Sequence, residues 1–200
     1  MARGRRAEDW RRDLESARPR EIELGRILAT DPRVAEFEDH TRSFDRLDYS
    51  FTYRGARVHL DLKEKIRATS RGLASLWPEV APRDLFVIDE TVYRRIVWQG
   101  GGGYLAVHDH PGERWLIFGP WELTLGPRRR YTRWGERGSG AFPKGKVLLD
   151  LTTAAAAAAE FSVDLLLQVV ERSRAQRDEV GAVAILGQTL PEIGSPGPQR

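Results

Sequence analysis

The 200-residue sequence contains no cysteine. This absence excludes disulfide bonds, cysteine nucleophiles and metal sites built on thiolate ligands. A protein without disulfides is typical of reducing compartments, so we expect a cytoplasmic location.

The sequence also lacks an uncharged apolar run near the roughly 20 residues that a bilayer-spanning helix needs. Its blandest stretch, TTAAAAAAEFSVDLLLQVV at residues 152–170, is interrupted by Glu160 and Asp164 and predicts an amphipathic helix packed on the domain. Residues 1–21 contain no apolar core, so we expect neither a secretory signal nor a membrane partner.

The positive charge is modest, a net +3, but it is unevenly distributed. Residues 126–146, hereafter the basic segment, contain seven basic residues and the single acid Glu136. Aromatic residues are interleaved with them, and aromatic faces stack on bases while guanidinium groups hold phosphates. The pattern predicts a nucleic-acid-binding surface formed by Arg128, Arg129, Arg130, Tyr131, Arg133, Trp134, Lys144 and Lys146. The first 20 residues contain seven arginines and four acids, which fit a polyanion-binding arm and a merely solvated surface equally well.

Composition predicts three regions along the chain: a basic arm or helix over residues 1–19, one domain over residues 20–173, and a flexible tail over residues 174–200. Within the domain, the order of helix, hairpin, helix, strands and helix predicts an α/β (α+β) fold. We expect a mixed central β-sheet flanked by helices.

Several element boundaries are predicted from short local signals. Pro19 is expected to end one helix before the next begins. Residues 64–77 are expected to be helical, residues 91–98 to form a strand because of their β-branched content, and the basic segment to form a loop. Thr152 or Thr153 is expected to cap the final helix.

Residues 46–65, RLDYSFTYRGARVHLDLKEK, predict a β-hairpin that turns at Arg54-Gly55. Side chains alternate along a strand, so Asp61 and Lys63 lie on the face opposite the apolar residues. With a two-residue turn, Asp48 lies directly opposite Asp61, with Cβ atoms about 5 Å apart. Like charges at that distance are destabilising, so this pair of acids needs a compensating cation.

A hard divalent ion such as Mg²⁺ is one such cation, because it takes one or two carboxylates and keeps water and phosphate oxygens in its other positions. Lys63 would point into the same site, where an ammonium group can orient a water or stabilise developing negative charge. Two alternatives stay open: a solvated strand face with alternating charges, and a bulge at the turn that breaks this register.

Asp48, the hairpin spacing, the Asp61-Leu62-Lys63 tripeptide and an upstream acidic helix together resemble the PD-(D/E)xK, or restriction-endonuclease-like, nuclease superfamily. Within it, REIELGRIL at residues 20–28 resembles the opening helix of archaeal Holliday-junction resolvases. The resemblance covers residues 21–76, and Leu47 stands where the family often has a proline.

The resemblance implies a restriction-endonuclease-like core and a metal-dependent DNA endonuclease that acts in defence, repair or recombination. It implies a catalytic set of Glu21, Asp48, Asp61 and Lys63, in which the three acids and the backbone carbonyl of Leu62 hold Mg²⁺. Glu23 is the alternative to Glu21, and Mn²⁺ would substitute for Mg²⁺. The expected partners are DNA, with RNA left open, and either a second copy of the chain or a larger complex.

Two other functions stay open. A nuclease-fold module that binds nucleic acid or a protein without cleavage would be marked by loss of a site residue, and all four are present. An α+β interaction protein with a solvated charged face needs none of them. His108 and His110 are further potential metal ligands, although the run His-Asp-His-Pro-Gly is also typical of a hairpin tip.

Overall fold

The computed structural model describes residues 7–43, 45–137 and 140–187, and within them the side chains of residues 19–43, 45–132 and 145–180. The helices of the described part are Ala7–Thr30 (α1), Arg71–Ala74 (α2), Glu90–Val97 (α3), Pro120–Leu125 (α4) and Val163–Gly187 (α5). Its strands are Ala35–Asp39 (β1), Tyr49–Tyr53 (β2), Ala56–Lys65 (β3), Leu85–Asp89 (β4), Gly103–Asp109 (β5), Arg114–Phe118 (β6), Arg128–Arg137 (β7), Gly140–Asp150 (β8) and Ala156–Ala158 (β9).

A six-stranded sheet of order β1-β2-β3-β5-β6-β9 forms the centre of the fold. β3 and β5 run parallel, whereas the other neighbours are antiparallel. A parallel pair needs a crossover connection, and here the crossover contains α2, β4 and α3. The predicted α/β fold, with a mixed central sheet flanked by helices, is confirmed.

One face of this sheet packs against α1 and α5. Leu24 and Leu28 of α1 and Leu166 of α5 form a single apolar cluster with Val58 and Leu60 of β3. These residues of β3 alternate with polar ones, so the strand buries one side chain in two on this face. The arrangement holds α1 against this face of the sheet, where Gly25 lies beside the Tyr49 ring of β2.

The opposite face packs against α3 and a second, three-stranded sheet of order β4-β8-β7. Leu105 and Val107 of β5 contribute to this core together with Tyr93 of α3. Asp61 pairs with Leu105, and Lys63 with Val107, across the parallel ladder. The charged face of β3 therefore lies beside an apolar layer, which explains why Asp61 is buried.

The prediction that Pro19 ends a helix is wrong, because α1 continues through it to Thr30. Proline removes one backbone donor, and burial of Leu24 and Leu28 anchors the following turns. α1 crosses the predicted boundary between residues 19 and 20, and α5 crosses the one between 173 and 174. The division of the chain into arm, domain and tail stays a prediction, because neither predicted boundary coincides with the end of a helix.

The predicted helix over residues 64–77 is also wrong. β3 continues to Lys65, which pairs with Asp109 of β5 and lies 3.1 Å from its carboxylate, and only Arg71–Ala74 is helical. Ile66 and Leu76, two apolar residues of this segment, are exposed. Strand pairing and a buried ion pair thus outweigh the local helix propensity of this segment.

Two further segments have a secondary structure different from the predicted one. Residues 91–98 were expected to form a strand, but Glu90–Val97 form α3 because Tyr93 and Ile96, three residues apart, both reach the core. The basic segment, expected as a loop, forms the hairpin β7–β8 in which Arg128 pairs with Leu149 and Arg137 with Gly140. β8 also pairs with β4, and this completes the three-stranded sheet.

The final helix begins later than predicted, at Val163. The hydroxyl of Ser162 accepts a hydrogen bond from the Leu165 amide at 3.1 Å and so replaces the predicted threonine cap. Ala156–Ala158, expected to be helical, pairs with β6 as the short edge strand β9.

Candidate functional site

The turn between β2 and β3 determines which residues meet at the site. Arg54 and Gly55 have φ values of 47° and 74°, the left-handed conformation of both central residues in a two-residue type I′ turn. The ladder then pairs Tyr53 with Ala56 and runs without a bulge to Tyr49 and Leu60. The predicted turn and register are confirmed up to this pair, and the same register continued by one residue puts Asp48 opposite Asp61.

A lysine ammonium group lies between these two acids. Nζ of Lys63 is 2.5 Å from Oδ2 of Asp61 and 3.7 Å from Oδ2 of Asp48. The same ammonium donates a hydrogen bond of 2.8 Å to the backbone carbonyl of Leu62. Within the part of the chain that the structure describes, Lys63 is thus the cation that the opposed carboxylates require.

Asp48 is held in place by the backbone of the neighbouring strand. Its Oδ2 accepts a hydrogen bond of 2.8 Å from the Leu62 amide. Because β2 begins only at Tyr49, the Asp48 side chain takes the place of the next ladder bond. The carboxylate is therefore positioned at the point where the two strands separate, and the Leu62 carbonyl lies beside it.

Burial dominates the electrostatics of the pair. The side chain of Asp61 is 4% exposed, and burial raises its pKa to about 6, with repulsion from Asp48 adding to the effect and Lys63 opposing it. Burial alone would lower the pKa of Lys63, but attraction to Asp61 and Asp48 is stronger and raises it. These interactions favour the protonated form of Lys63 and make Asp61 a weaker acid than an exposed aspartate.

Glu21 approaches the same group of charges from α1. Partial burial, and then repulsion from Asp48, raises the pKa of its carboxyl group, while Lys63 lowers it. The Tyr49 hydroxyl donates a hydrogen bond of 2.5 Å to the Glu21 carbonyl, which ties this turn of α1 to β2. Glu23 instead accepts a bond of 2.6 Å from Arg20 at an exposed position. The electrostatic interaction of Glu21 with Asp48 and Lys63 favours it over Glu23 as the helix acid.

The residues present suit a divalent cation. Oδ2 of Asp61 is buried, makes no well-aligned hydrogen bond among the described residues, and has only an ion-pair contact with Lys63 to offset its burial. Asp48 and the Leu62 carbonyl add oxygen donors around the same point. An all-oxygen donor set with two carboxylates matches the ligand preference of Mg²⁺.

The basic segment forms an edge of the second sheet, and its strand geometry divides its charges between two faces. Arg128 and Arg130 pair with Leu149 and Val147 of the inner core, so Arg129 points to the other face of the sheet. Three consecutive arginines therefore do not form one continuous patch.

Intramolecular partners occupy several of these side chains. Arg129 lies 3.3 Å from both carboxylate oxygens of Glu79, and its guanidinium group stacks over Trp77. Lys146 is paired closely with Asp89. Arg130, 3.9 Å from Glu90 and 53% exposed, is the most available of the three consecutive arginines.

The remaining predicted nucleic-acid contacts divide into two groups. Tyr131 packs partly buried against the small core cluster of Trp77 and Leu148, which limits its face for stacking on a base. The side chains of Arg133, Trp134 and Lys144 lie outside the described residues. Their role in nucleic-acid binding stays a prediction from the sequence.

Sequence reasoning missed Glu64, which it assigned to the start of a helix. Glu64 follows Leu60 and Leu62 on the same face of β3 and pairs directly with His108 of β5. Together with His110 it forms a cluster whose ligand atoms all lie within 4.8 Å of one another. Extending the strand alternation past Lys63 would have predicted the side of the sheet on which Glu64 lies, but not its neighbours.

Comparison with protein-family models, with curated proteins and with solved structures gives no significant match to the chain. Among the described helices, none combines the length and the apolar character needed to span a membrane.

Proposed function

We propose that this protein is a Mg²⁺-dependent DNA endonuclease that hydrolyses phosphodiester bonds. One observation carries the proposal: two carboxylates and a backbone carbonyl converge on a single cation, the Lys63 ammonium, at the end of a hairpin. A buried carboxylate that lacks a full set of hydrogen bonds is costly for stability alone. Such groups are retained where they bind a ligand or take part in chemistry.

In this proposal Asp48 and Asp61, with the Leu62 carbonyl, hold the ion, and Glu21 completes the acidic set. A bound Mg²⁺ supplies Lewis-acid activation of a water and neutralises charge on the scissile phosphate. The ion pair with Asp61 and the hydrogen bond of Asp48 to the Leu62 amide orient the carboxylates before any ligand arrives.

Lys63 would act through its charge. Since the surrounding acids raise its pKa, it stays protonated and is a poor general base. Its side chain is 32% exposed, so the ammonium can reach a substrate at the mouth of the site. An ammonium there stabilises negative charge that develops on the phosphate during attack.

A polyanionic substrate is favoured by the basic segment. Arg128 and Arg130, both exposed, share one face of β7, and Arg130 has only a long contact with Glu90. Exposed arginines bind phosphates without regard to sequence, which positions a nucleic acid but does not select a base. DNA is the substrate class that we propose, with RNA included in the test.

The experiment is a cleavage assay with Mg²⁺ on labelled plasmid, single-stranded DNA, flap, four-way-junction and RNA substrates. Wild type should cleave at least one DNA substrate and lose this activity in EDTA. Asp61→Asn, which preserves shape and removes charge, should abolish cleavage while the circular-dichroism spectrum is unchanged.

The matched control is Asp164→Asn, the same chemical change at an exposed aspartate on α5 that pairs with Arg33. It should cleave like wild type, which also excludes a contaminating nuclease when all proteins are purified identically. Cleavage by Asp61→Asn at the wild-type rate would refute the proposed site. Binding of nucleic acid without cleavage of any substrate would instead favour the alternative of a catalytically inactive nucleic-acid-binding module.

A further inference from the structure

A second group of potential ligands lies on the other face of β3, beneath α1. Glu64 of β3 and His108 of β5 are direct partners in the parallel ladder, and His110 follows β5 in a short turn. Oε1 of Glu64 is 3.1 Å from Nε2 of His110 and 3.7 Å from Nδ1 of His108. One carboxylate oxygen therefore faces two imidazole nitrogens.

The side chains are held in place, and one of their donors lacks a partner. The His108 ring stacks on Trp115 with centroids 4.5 Å apart and planes inclined by 7°, which determines the direction of its nitrogens. Nδ1 of His108 is buried and has no hydrogen-bond partner in the described part of the chain. Glu64, 10% exposed, has its carboxylate turned toward both rings.

The cluster is also accessible to an ion. His110 is 37% exposed, so a path from solvent reaches the donors. His108 lines a cavity of about 440 Å³ that α1 shares with Trp115 and Phe161.

We propose that Glu64, His108 and His110 bind a divalent first-row transition-metal ion, for which Zn²⁺ is the best match. Two imidazoles and one carboxylate form a donor set that zinc accepts while keeping a position open for water or a substrate. Metal–ligand bonds of about 2.0–2.1 Å place neighbouring tetrahedral donors roughly 3.4 Å apart. The two measured separations of 3.1 and 3.7 Å lie on either side of that value.

This site differs in chemistry from the one formed by Asp48 and Asp61. Nitrogen donors select transition metals, whereas the all-oxygen set selects Mg²⁺ or Mn²⁺. The inference does not depend on nuclease activity, and zinc binding can be measured on a protein that cleaves nothing.

The test uses full-length protein without a polyhistidine tag, stripped with EDTA and then freed of it. Zn²⁺ binding is followed by calorimetry and by the thermal midpoint, and the Co²⁺ form by its visible absorption. We expect one Zn²⁺ per chain, a higher thermal midpoint, and an absorption spectrum of nitrogen-coordinated Co²⁺. His110→Ala and Glu64→Gln should each lower the Zn²⁺ affinity more than about 100-fold, because even loss of an outer-shell partner costs 10–100-fold.

Two control variants make the result specific. His40→Ala removes an imidazole that also lies 3.1 Å from a carboxylate, that of Glu38, but that belongs to no group of three potential metal ligands among the described residues, and Zn²⁺ affinity should not change. Asp61→Asn should likewise retain it. Absence of saturable Zn²⁺ binding in wild type would overturn the proposal. So would binding that persists in both His110→Ala and Glu64→Gln, since His110 is exposed enough for its variant to fold.

Discussion

Replacing Asp61 by asparagine should change how stability depends on pH, in a direction that the burial of this residue determines. Burial raises the pKa of Asp61 from 3.8 to about 6, so between these values the folded protein holds a proton that the unfolded chain has released. Ionisation of Asp61 therefore lowers stability as the pH rises. The full cost is about 3 kcal/mol, from about 1.4 kcal/mol for each pKa unit.

About 2 kcal/mol of this cost should appear between pH 4.5 and pH 7.5, because the unfolded chain is already largely ionised at pH 4.5. Asp61→Asn lacks this titration. Measured by urea unfolding in EDTA, the free energy of unfolding of the variant minus that of wild type should rise by about 2 kcal/mol over this range. The control Asp164→Asn makes the same chemical change at an exposed position and should not reproduce this rise.

Mg²⁺ should offset most of this difference at pH 7.5, because it binds the ionised form of Asp61. At a concentration tenfold above its Kd, a ligand stabilises the folded state by about 1.4 kcal/mol, and wild type alone should gain this at pH 7.5. A stability difference that does not change between pH 4.5 and 7.5 would refute the burial argument. An equal Mg²⁺ effect on wild type and Asp61→Asn would refute Asp61 as a ligand.

Three further outcomes follow from the site. Mg²⁺ and Mn²⁺ should support cleavage while Ca²⁺ binds with little turnover, and robust cleavage in EDTA would remove the metal mechanism. At subsaturating Mg²⁺, the cleavage rate should decrease as the pH is lowered through about 6, because Asp61 takes up its proton. A higher Mg²⁺ concentration should shift this decrease to lower pH. A decrease that does not depend on Mg²⁺ would contradict competition between proton and ion. Joint replacement of Arg128, Arg129 and Arg130 by glutamine should flatten the salt dependence of DNA binding by roughly 0.9 in slope per lost phosphate contact. Arg130 should contribute most and Arg129, which is paired with Glu79, least. An unaltered slope would leave the basic segment without a binding role.

The hairpin illustrates what local signals can predict. Arg54-Gly55 permits a two-residue turn, and strand alternation then puts Asp61 opposite Asp48 and beside Lys63 on one face. Each step depends on neighbouring residues only, and for this reason the register could be predicted. Local signals did not determine which cation compensates the two acids, because an external ion and Lys63 both satisfy the argument. In the structure Lys63 lies between the acids.

Predictions from local sequence signals were wrong where contacts with residues distant in the sequence determine the secondary structure. Residues 64 and 65 continue a strand because β5 pairs with them, and residues 90–97 form a helix because Tyr93 and Ile96 find an apolar layer. The basic segment becomes a hairpin because β4 extends its sheet. In each case tertiary pairing outweighs a propensity difference of about 1 kcal/mol or less per residue.

The sequence by itself determined the position of the turn and the alternation of side chains along β3. These two features bring Asp48, Asp61 and Lys63 together. Only the tertiary structure decided that Asp61 is buried, since the covering layer comes from α3 and the second sheet. It alone brought Glu64 beside His108, because parallel pairing of β3 with β5 joins positions that no local rule connects. Interactions within a hairpin are encoded over a few residues, whereas parallel pairing depends on the path of the whole crossover.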